Sequence, residues 1–226
     1  MIRLGILGDI GSGKSYVASK FGYPVFDADY EVSKLYKNNK KVFVKLNKEL
    51  PKHITTYPIN KKQITEAILS NKTNLRKIIN IVHEEVRKKM KSFLKRNKNK
   101  KIVILDIPLL LENNINNKKD ILVFVDSKKK EIRKRLIKRK NFNSKLFHKF
   151  KKIQLNPKYK KKKSHFIIKN DFTNKSVKRG IKEIFNKIFF KIFLILSLIF
   201  FFVKSFLIIK CDFFFLYFGF NCIFLN

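Results

Sequence analysis

Residues Gly8-Asp9-Ile10-Gly11-Ser12-Gly13-Lys14-Ser15 fit the spacing Gly-x-x-x-x-Gly-Lys-Ser at every fixed position. This set of residue types suits one chemistry. Glycines let backbone N–H groups converge on phosphate oxygens, a lysine at this place reaches the β- and γ-phosphates, and the serine hydroxyl is placed for Mg2+. Gly8, Gly11, Ser12, Gly13, Lys14, Ser15 and Tyr16 are therefore expected to hold ATP, with Ser15 on the metal. Phosphoryl transfer also needs an acid at the acceptor, an acid that reaches the metal and cations for the developing charge. Asp29 or Asp27 suits the first task, Asp106 the second, and Arg133, Arg135 or Arg139 the third. Each has a plainer reading: aspartates at strand ends also cap helices and form turns, and arginines among lysines also serve as solvated surface.

The elements that must position these residues follow from hydrophobic pattern. Ile2 to Leu7 reads as a mostly apolar strand leading into the loop, and Val17, Ala18 and Phe21 lie at helical spacing after it. Residues 23–29 read as a short strand whose alternation places Asp27 and Asp29 on one side. Helices are expected over 31–37, 42–50, 61–69 and 75–94, the last strongly basic on one face. Ile102 to Asp106 and Ile121 to Asp126 are continuous apolar runs, as strands covered on both faces of a parallel sheet require. Ser127 is expected to cap a helix running to about Arg139, and 141–163 reads as basic and less regular. A short strand at 166–168 and a helix at 174–187 close the pattern, which is that of a doubly wound α/β fold.

Composition narrows the function classes. The chain of 226 residues suits one α/β domain with small inserted lobes, expected over 1–190. Its net charge of +37, from 53 Lys+Arg against 16 Asp+Glu, would on its own suggest a polyanion partner. The lysines are instead spread over most helical stretches, in a mixture with Asn, Ile and Phe that A+T-biased codons also produce, and no recognition motif for a specific nucleic acid is visible. A basic nucleic-acid-binding NTPase therefore stands as the alternative, together with another small-molecule kinase. The two cysteines, Cys211 and Cys222, form neither a metal cluster nor a disulfide framework, and a cytoplasmic location is expected. Fourteen of the 24 phenylalanines fall between Phe185 and Asn226, so residues 191–226 form a hydrophobic tail of different character. The apolar stretch 192–203 spans roughly 18 Å as a helix, short of the roughly 30 Å hydrocarbon core. A C-terminal membrane anchor, an oligomerisation segment and an unselected extension are the three readings of that tail.

Taken in order, the motifs resemble those of the dephospho-CoA kinase family. The resemblance rests on Gly8 to Ser15, Val25-Phe26-Asp27-Ala28-Asp29, His83 within Ile81-Val82-His83-Glu84-Glu85-Val86, and Ile107-Pro108-Leu109-Leu110-Leu111-Glu112-Asn113, and covers residue 2 to about 187. It implies a three-layer P-loop NTPase fold with a mostly parallel central sheet, a helical substrate lobe at about 52–97 and a lid at about 128–163. It also implies ATP-dependent phosphorylation of the ribose 3′-hydroxyl of dephospho-CoA, with Mg2+ as cofactor, dephospho-CoA and ATP as partners and a monomer as the favoured state. Carried over to this chain, Asp29 becomes the acid at the 3′-hydroxyl, and His83, Pro108, Leu109 and Glu112 surround the acceptor. Arg139 becomes the lid arginine, with Lys14 and Asp29 completing the catalytic set. The chain departs from the family pattern at Asp9, where glycine is usual, at His165, where an acid is usual, and beside Gln154, where a neighbouring arginine is missing.

Overall fold

The apolar runs assemble into a five-stranded sheet of order β2-β3-β1-β4-β5 in which every pairing is parallel. The strands are β1 (Ile2–Gly8), β2 (Val25–Asp27), β3 (Ile102–Asp106), β4 (Ile121–Asp126) and β5 (Phe166–Lys169). The computed structural model describes residues 1–139 and 142–190. Consecutive residues of β1 and β3 point to opposite faces, yet Leu4, Ile6 and Leu7 and all of Ile102 to Leu105 are buried, so both faces of the sheet are covered. The helices that cover it and build the lobes are α1 (Lys14–Lys20), α2 (Ala28–Asn38), α3 (Lys40–Glu49), α4 (Lys61–Ser70), α5 (Asn74–Arg96), α6 (Lys129–Ile137), α7 (Ser144–Ile153) and α8 (Pro157–Lys163).

The chain divides into two compact units, Met1–Ile181 and Lys182–Asn226. Residues 174–181 close the first as a helix, and residues 182–190 of the second are helical. The apolar stretch 192–203, Cys211 and Cys222 lie outside the described residues. Among the described residues no helix is long and apolar enough to cross a membrane.

The strand order places the phosphate loop at a switch point. From β1 the chain passes to β2 at the edge, and β3 then fills the gap between them before β4 pairs on the opposite side of β1. Connections leave β1 and β3 on different sides, opening a crevice at the carboxyl ends of the strands, where ligands bind in such sheets. In register, Gly8 lies beside Val125, and Asp27 beside Asp106, so the loop and the acids share one edge.

Next to this edge a helical lobe forms around α5. Leu75, Ile78, Val82, Val86 and Met90 recur every three or four residues and are all buried, giving the helix one apolar stripe along its 23 residues. Against that stripe pack α2, α3 and α4. Helix α4 begins with a capping box in which Asn60 accepts from Gln63 N at 2.9 Å and Gln63 accepts from Asn60 N at 3.1 Å.

Two expectations need correction here. The strand expected to reach Asp29 ends at Asp27, whose carboxylate accepts the Tyr30 amide at 2.9 Å and so starts α2 at Ala28. Asp27 and Asp29 therefore do not share the side of a strand; one caps the helix and the other sits in its first turn. The region expected to be irregular, 141–163, contains α7 and α8.

Candidate active site

The loop between β1 and α1 is shaped by backbone positions that exclude a side chain. Gly13 has φ 89°, and a Cβ on it would lie 2.7 Å from Asn170 Nδ2; a Cβ on Gly8 would lie 2.5 Å from Ser12 Oγ. The loop is braced from the ends of the neighbouring strands, where Asn170 Nδ2 donates to Ser12 O at 2.8 Å and Ser127 Oγ donates to the same carbonyl at 3.0 Å. Ser127 is thus not the expected helix cap. Lys128 occupies the N-cap position of α6 without a side-chain cap, and Ser127 serves the loop instead. Ser12 is fully buried and its hydroxyl has no protein partner, which leaves a donor inside the cradle for an anionic oxygen.

Lys14 folds across this cradle, donating to Asp9 O at 2.9 Å. Burial holds its ammonium below the ordinary lysine value, Asp106 opposes that shift, and Lys160 adds to it. Asp9, the unusual residue, turns its carboxylate onto the Ile10 amide at 2.8 Å. That bond occupies a backbone donor on the rim of a phosphate site and leaves a negative charge there. Asp9→Gly frees the amide and removes the charge, so the KM for ATP is expected to fall about 3- to 10-fold with little change in the acceptor KM. Steady-state kinetics with each substrate varied checks this; an unchanged or raised KM for ATP would show that Asp9 is neutral or useful.

Three carboxylates gather beside the loop. Asp106, buried at the end of β3, accepts from the Ser15 hydroxyl; burial raises its pKa, while that bond and Lys14 pull it down. Burial also raises the pKa of Asp29, with the negative charges of Asp106 and Asp27 adding to it and Lys14 opposing. The site thus holds Asp29 above the ordinary carboxylate range, in a direction that suits a group receiving a proton near neutrality. Among the described residues no three His, Cys, Asp or Glu side chains converge as a metal cage. A hydroxyl and one carboxylate beside a phosphate cradle nevertheless form the hard-oxygen set that suits Mg2+, which takes its remaining ligands from phosphate and water.

Asp29 opens onto a cavity of about 950 Å³. The cavity brings together Ile10 of the loop, Asp29, His83 of α5, Pro108 and Leu109 after β3, Arg139 after α6, and Gln154 after α7. Its apolar walls include Ile64 and Ile68 of α4, Ile78 and Val82 of α5, and Leu146, Phe147 and Phe150 of α7. His83 has its pKa lowered by burial and then by the Arg87 charge, so a neutral imidazole faces the cavity. Arg87 also donates to Asn113 O at 3.0 Å, tying the Pro108–Glu112 segment to α5. Tyr36 lines the same wall, and burial pushes its phenol well above the ordinary value, keeping it a neutral donor.

Other sequence candidates fall elsewhere. Tyr16 is exposed and donates to Asn174 at 3.3 Å. Arg135 stacks on Phe172 at 4.5 Å from the ring centroid. His165 meets β4 twice: its amide donates to Leu122 O at 2.8 Å and its Nδ1 accepts from Leu122 N at 2.9 Å. An imidazole nitrogen thereby accepts a β4 amide where the family usually carries an acid.

Glu112 does not line the cavity. Its carboxylate meets Lys160 of α8 at 2.5 Å, with both side chains buried, and the Leu155 amide donates to the same oxygen at 3.0 Å. The pair fastens the α7–α8 corner to the segment after β3, and Lys160 is a residue that sequence reasoning missed. Lys160→Met strands a buried carboxylate and is expected to lower stability by about 3–5 kcal/mol, while Lys160→Met combined with Glu112→Leu recovers most of that loss. Urea melts of the two variants measure it, and a single variant as stable as the parent would refute the pair's importance.

Comparison with known proteins gives the family and the fold. A profile of the family described as "Dephospho-CoA kinase" matches residues 2–176. The dephospho-CoA kinase of Wolbachia sp. subsp. Brugia malayi is 31% identical over 186 residues, covering 80% of this chain and 95% of that protein. The dephospho-CoA kinase of Fusobacterium nucleatum is 34% identical over 177 residues, covering 74% and 89%. Among solved structures, a protein of Thermus thermophilus aligns with TM-score 0.66 at 25% identity over 82% of this chain and 97% of its own. The dephospho-CoA kinase from Campylobacter jejuni, at 20% identity, shares the fold with TM-score 0.54 over 82% of this chain and 96% of its own. A profile match over most of the chain and relatives of this similarity leave one conclusion: the chain belongs to the dephospho-CoA kinase family.

Proposed function

We propose that the chain transfers the γ-phosphate of ATP to the ribose 3′-hydroxyl of dephospho-CoA with Asp29 as the acid at the acceptor. The observation that carries this assignment is a single cavity lined at once by the loop residue Ile10, by Asp29, His83, Pro108 and Leu109, and by Arg139. The loop amides, Ser12 and Lys14 hold the triphosphate. Ser15 and Asp106 would hold Mg2+, which would supply positive charge to offset that of the phosphates. Dephospho-CoA enters the cavity with its 3′-hydroxyl at Asp29 and its remainder along the apolar walls; His83, Pro108 and Leu109 orient it. The 3′-oxygen attacks the γ-phosphorus, the bond to the β–γ bridging oxygen breaks, and Asp29 receives the hydroxyl proton. Arg139 neutralises the charge that develops on the transferred group. Glu112 acts one step back, holding the acceptor segment through Lys160.

The partners are ATP and dephospho-CoA, with no specific nucleic acid. The first unit works in the cytoplasm as a monomer, with any membrane contact left to the tail. Purified full-length chain should show Mg-ATP-dependent phosphorylation of dephospho-CoA in a coupled ADP-release assay, with the 3′-phosphate confirmed by mass spectrometry. Release of ADP only with some other small hydroxyl acceptor would overturn the proposal.

A further inference from the structure

The walls of the acceptor cavity are not held in the same way. Helices α2, α4 and α5 are fixed by buried apolar residues, whereas α7 has none that is buried. Its Leu146, Phe147 and Phe150 line the cavity, and its apolar face is only partly buried, with Leu146, Phe150 and Ile153 packed against the edge of the core. A polar contact supplies a second anchor. Helix α4 ends without a basic residue in its last turn, leaving its final carbonyls and the negative end of its dipole without a cation of its own. Lys149 of α7 reaches across to that end, donating to Ile68 O, to Leu69 O at 3.3 Å and to Asn71 O at 3.4 Å.

We infer that Lys149 is a positioning residue for the acceptor: by capping α4 it holds α7 in place as one wall of the cavity, so that the apolar part of dephospho-CoA packs between Ile64 and Ile68 on one side and Phe147 and Phe150 on the other. The assignment of the acceptor rests on the function proposed above; the capping role does not. Lys149 is not among the residues lining the cavity, and its effect passes through the helix it fixes. An ammonium is replaceable by a guanidinium here, because both donate several N–H groups to a cluster of carbonyls.

Lys149→Met keeps the aliphatic stem and removes the donors; Lys149→Arg keeps donors and charge. In the full chain, Lys149→Met is expected to raise the KM for dephospho-CoA about tenfold, with the KM for ATP and kcat within about twofold of the parent. Lys149→Arg should restore most of the acceptor KM. Hydrogen exchange, read without any substrate, should show faster exchange across 144–153 in Lys149→Met and near-parental protection in Lys149→Arg, while 102–106 stays unchanged. Unchanged protection of 144–153 in Lys149→Met overturns the capping role whatever the enzyme phosphorylates. Altered protection with an unchanged acceptor KM, or with parallel losses in both KM values and kcat, overturns the positioning role. A parent chain inactive on dephospho-CoA but showing the exchange pattern would overturn the proposed acceptor alone.

Discussion

Asp29→Asn is expected to lower kcat for dephospho-CoA by about 10²- to 10⁴-fold, the usual worth of a positioned acid–base group, while binding of both substrates changes only a few-fold. The amide keeps the size of the carboxylate and its place in the first turn of α2 but cannot take the proton of the 3′-hydroxyl. Its effect on stability runs the other way. Burial and the charges of Asp106 and Asp27 raise the pKa of Asp29 in the folded protein, so ionising it costs the native state free energy. That cost is absent below the unfolded-state pKa, grows between the two values and is fully present above the folded one. Asp29→Asn should accordingly melt at the same or a higher temperature than the parent at pH 7, with the difference closing as pH falls through the carboxylate range. The same raised pKa gives the parent an acid limb in kcat/KM, with activity lost as pH falls and Asp29 is protonated. Stopped-time assays and thermal melts across pH decide this; normal turnover in Asp29→Asn would remove the residue from the chemistry.

The parts of this site that were legible in the sequence are those in which local chemistry and local shape coincide. Gly8 to Ser15 specifies both a turn and a ligand, and the apolar runs at 102–105 and 121–125 specify strands buried on both faces, so a phosphate loop at the edge of a parallel sheet is readable from the residues alone. Legibility ended where a side chain had two local options or a distant partner. Asp27 continues the alternation of a strand and equally accepts an amide three residues on; the structure takes the second, which moves Asp29 onto a helix. Ser127 reads as a cap from its position and acts on Ser12, 115 residues away in sequence.

Composition hid the remaining elements. In α7 the residues Leu146, Phe147, Phe150 and Ile153 carry a helical period, but interspersed lysines and a histidine make the segment read as irregular. In α8 nothing local distinguishes Lys160 from Lys158, Lys161, Lys162 and Lys163. Only Glu112, brought near by the sheet, selects it for burial. The +37 charge is thus two populations. Most lysines are solvated on helix faces, and a few are internal: Lys14 closes its own loop, and Lys149 and Lys160 tie elements distant in sequence.

Lys14→Ala is the substitution that separates the loop's shape from its charge. The glycine geometry, Ser12, Asn170 and Ser127 are untouched, so the cradle persists, but the cation proposed to face the transferred phosphate is gone. Turnover is expected to fall about 10²- to 10⁴-fold, in line with the loss of a group that stabilises developing charge. A second signature follows from the neighbours. Lys14 holds down the pKa values of both Asp29 and Asp106, so its removal lets both rise further. If Asp29 is the acid that receives the proton, the residual activity of Lys14→Ala must show an acid limb displaced to higher pH than the parent's. If Lys14 serves only to bind ATP, the loss is overcome by saturating nucleotide; if Asp29 is not the proton-accepting group, the limb stays where it was. The pH profile of the crippled enzyme, measured at saturating Mg-ATP, therefore tests the proximity of Lys14 to Asp29 in function as the structure shows it in space.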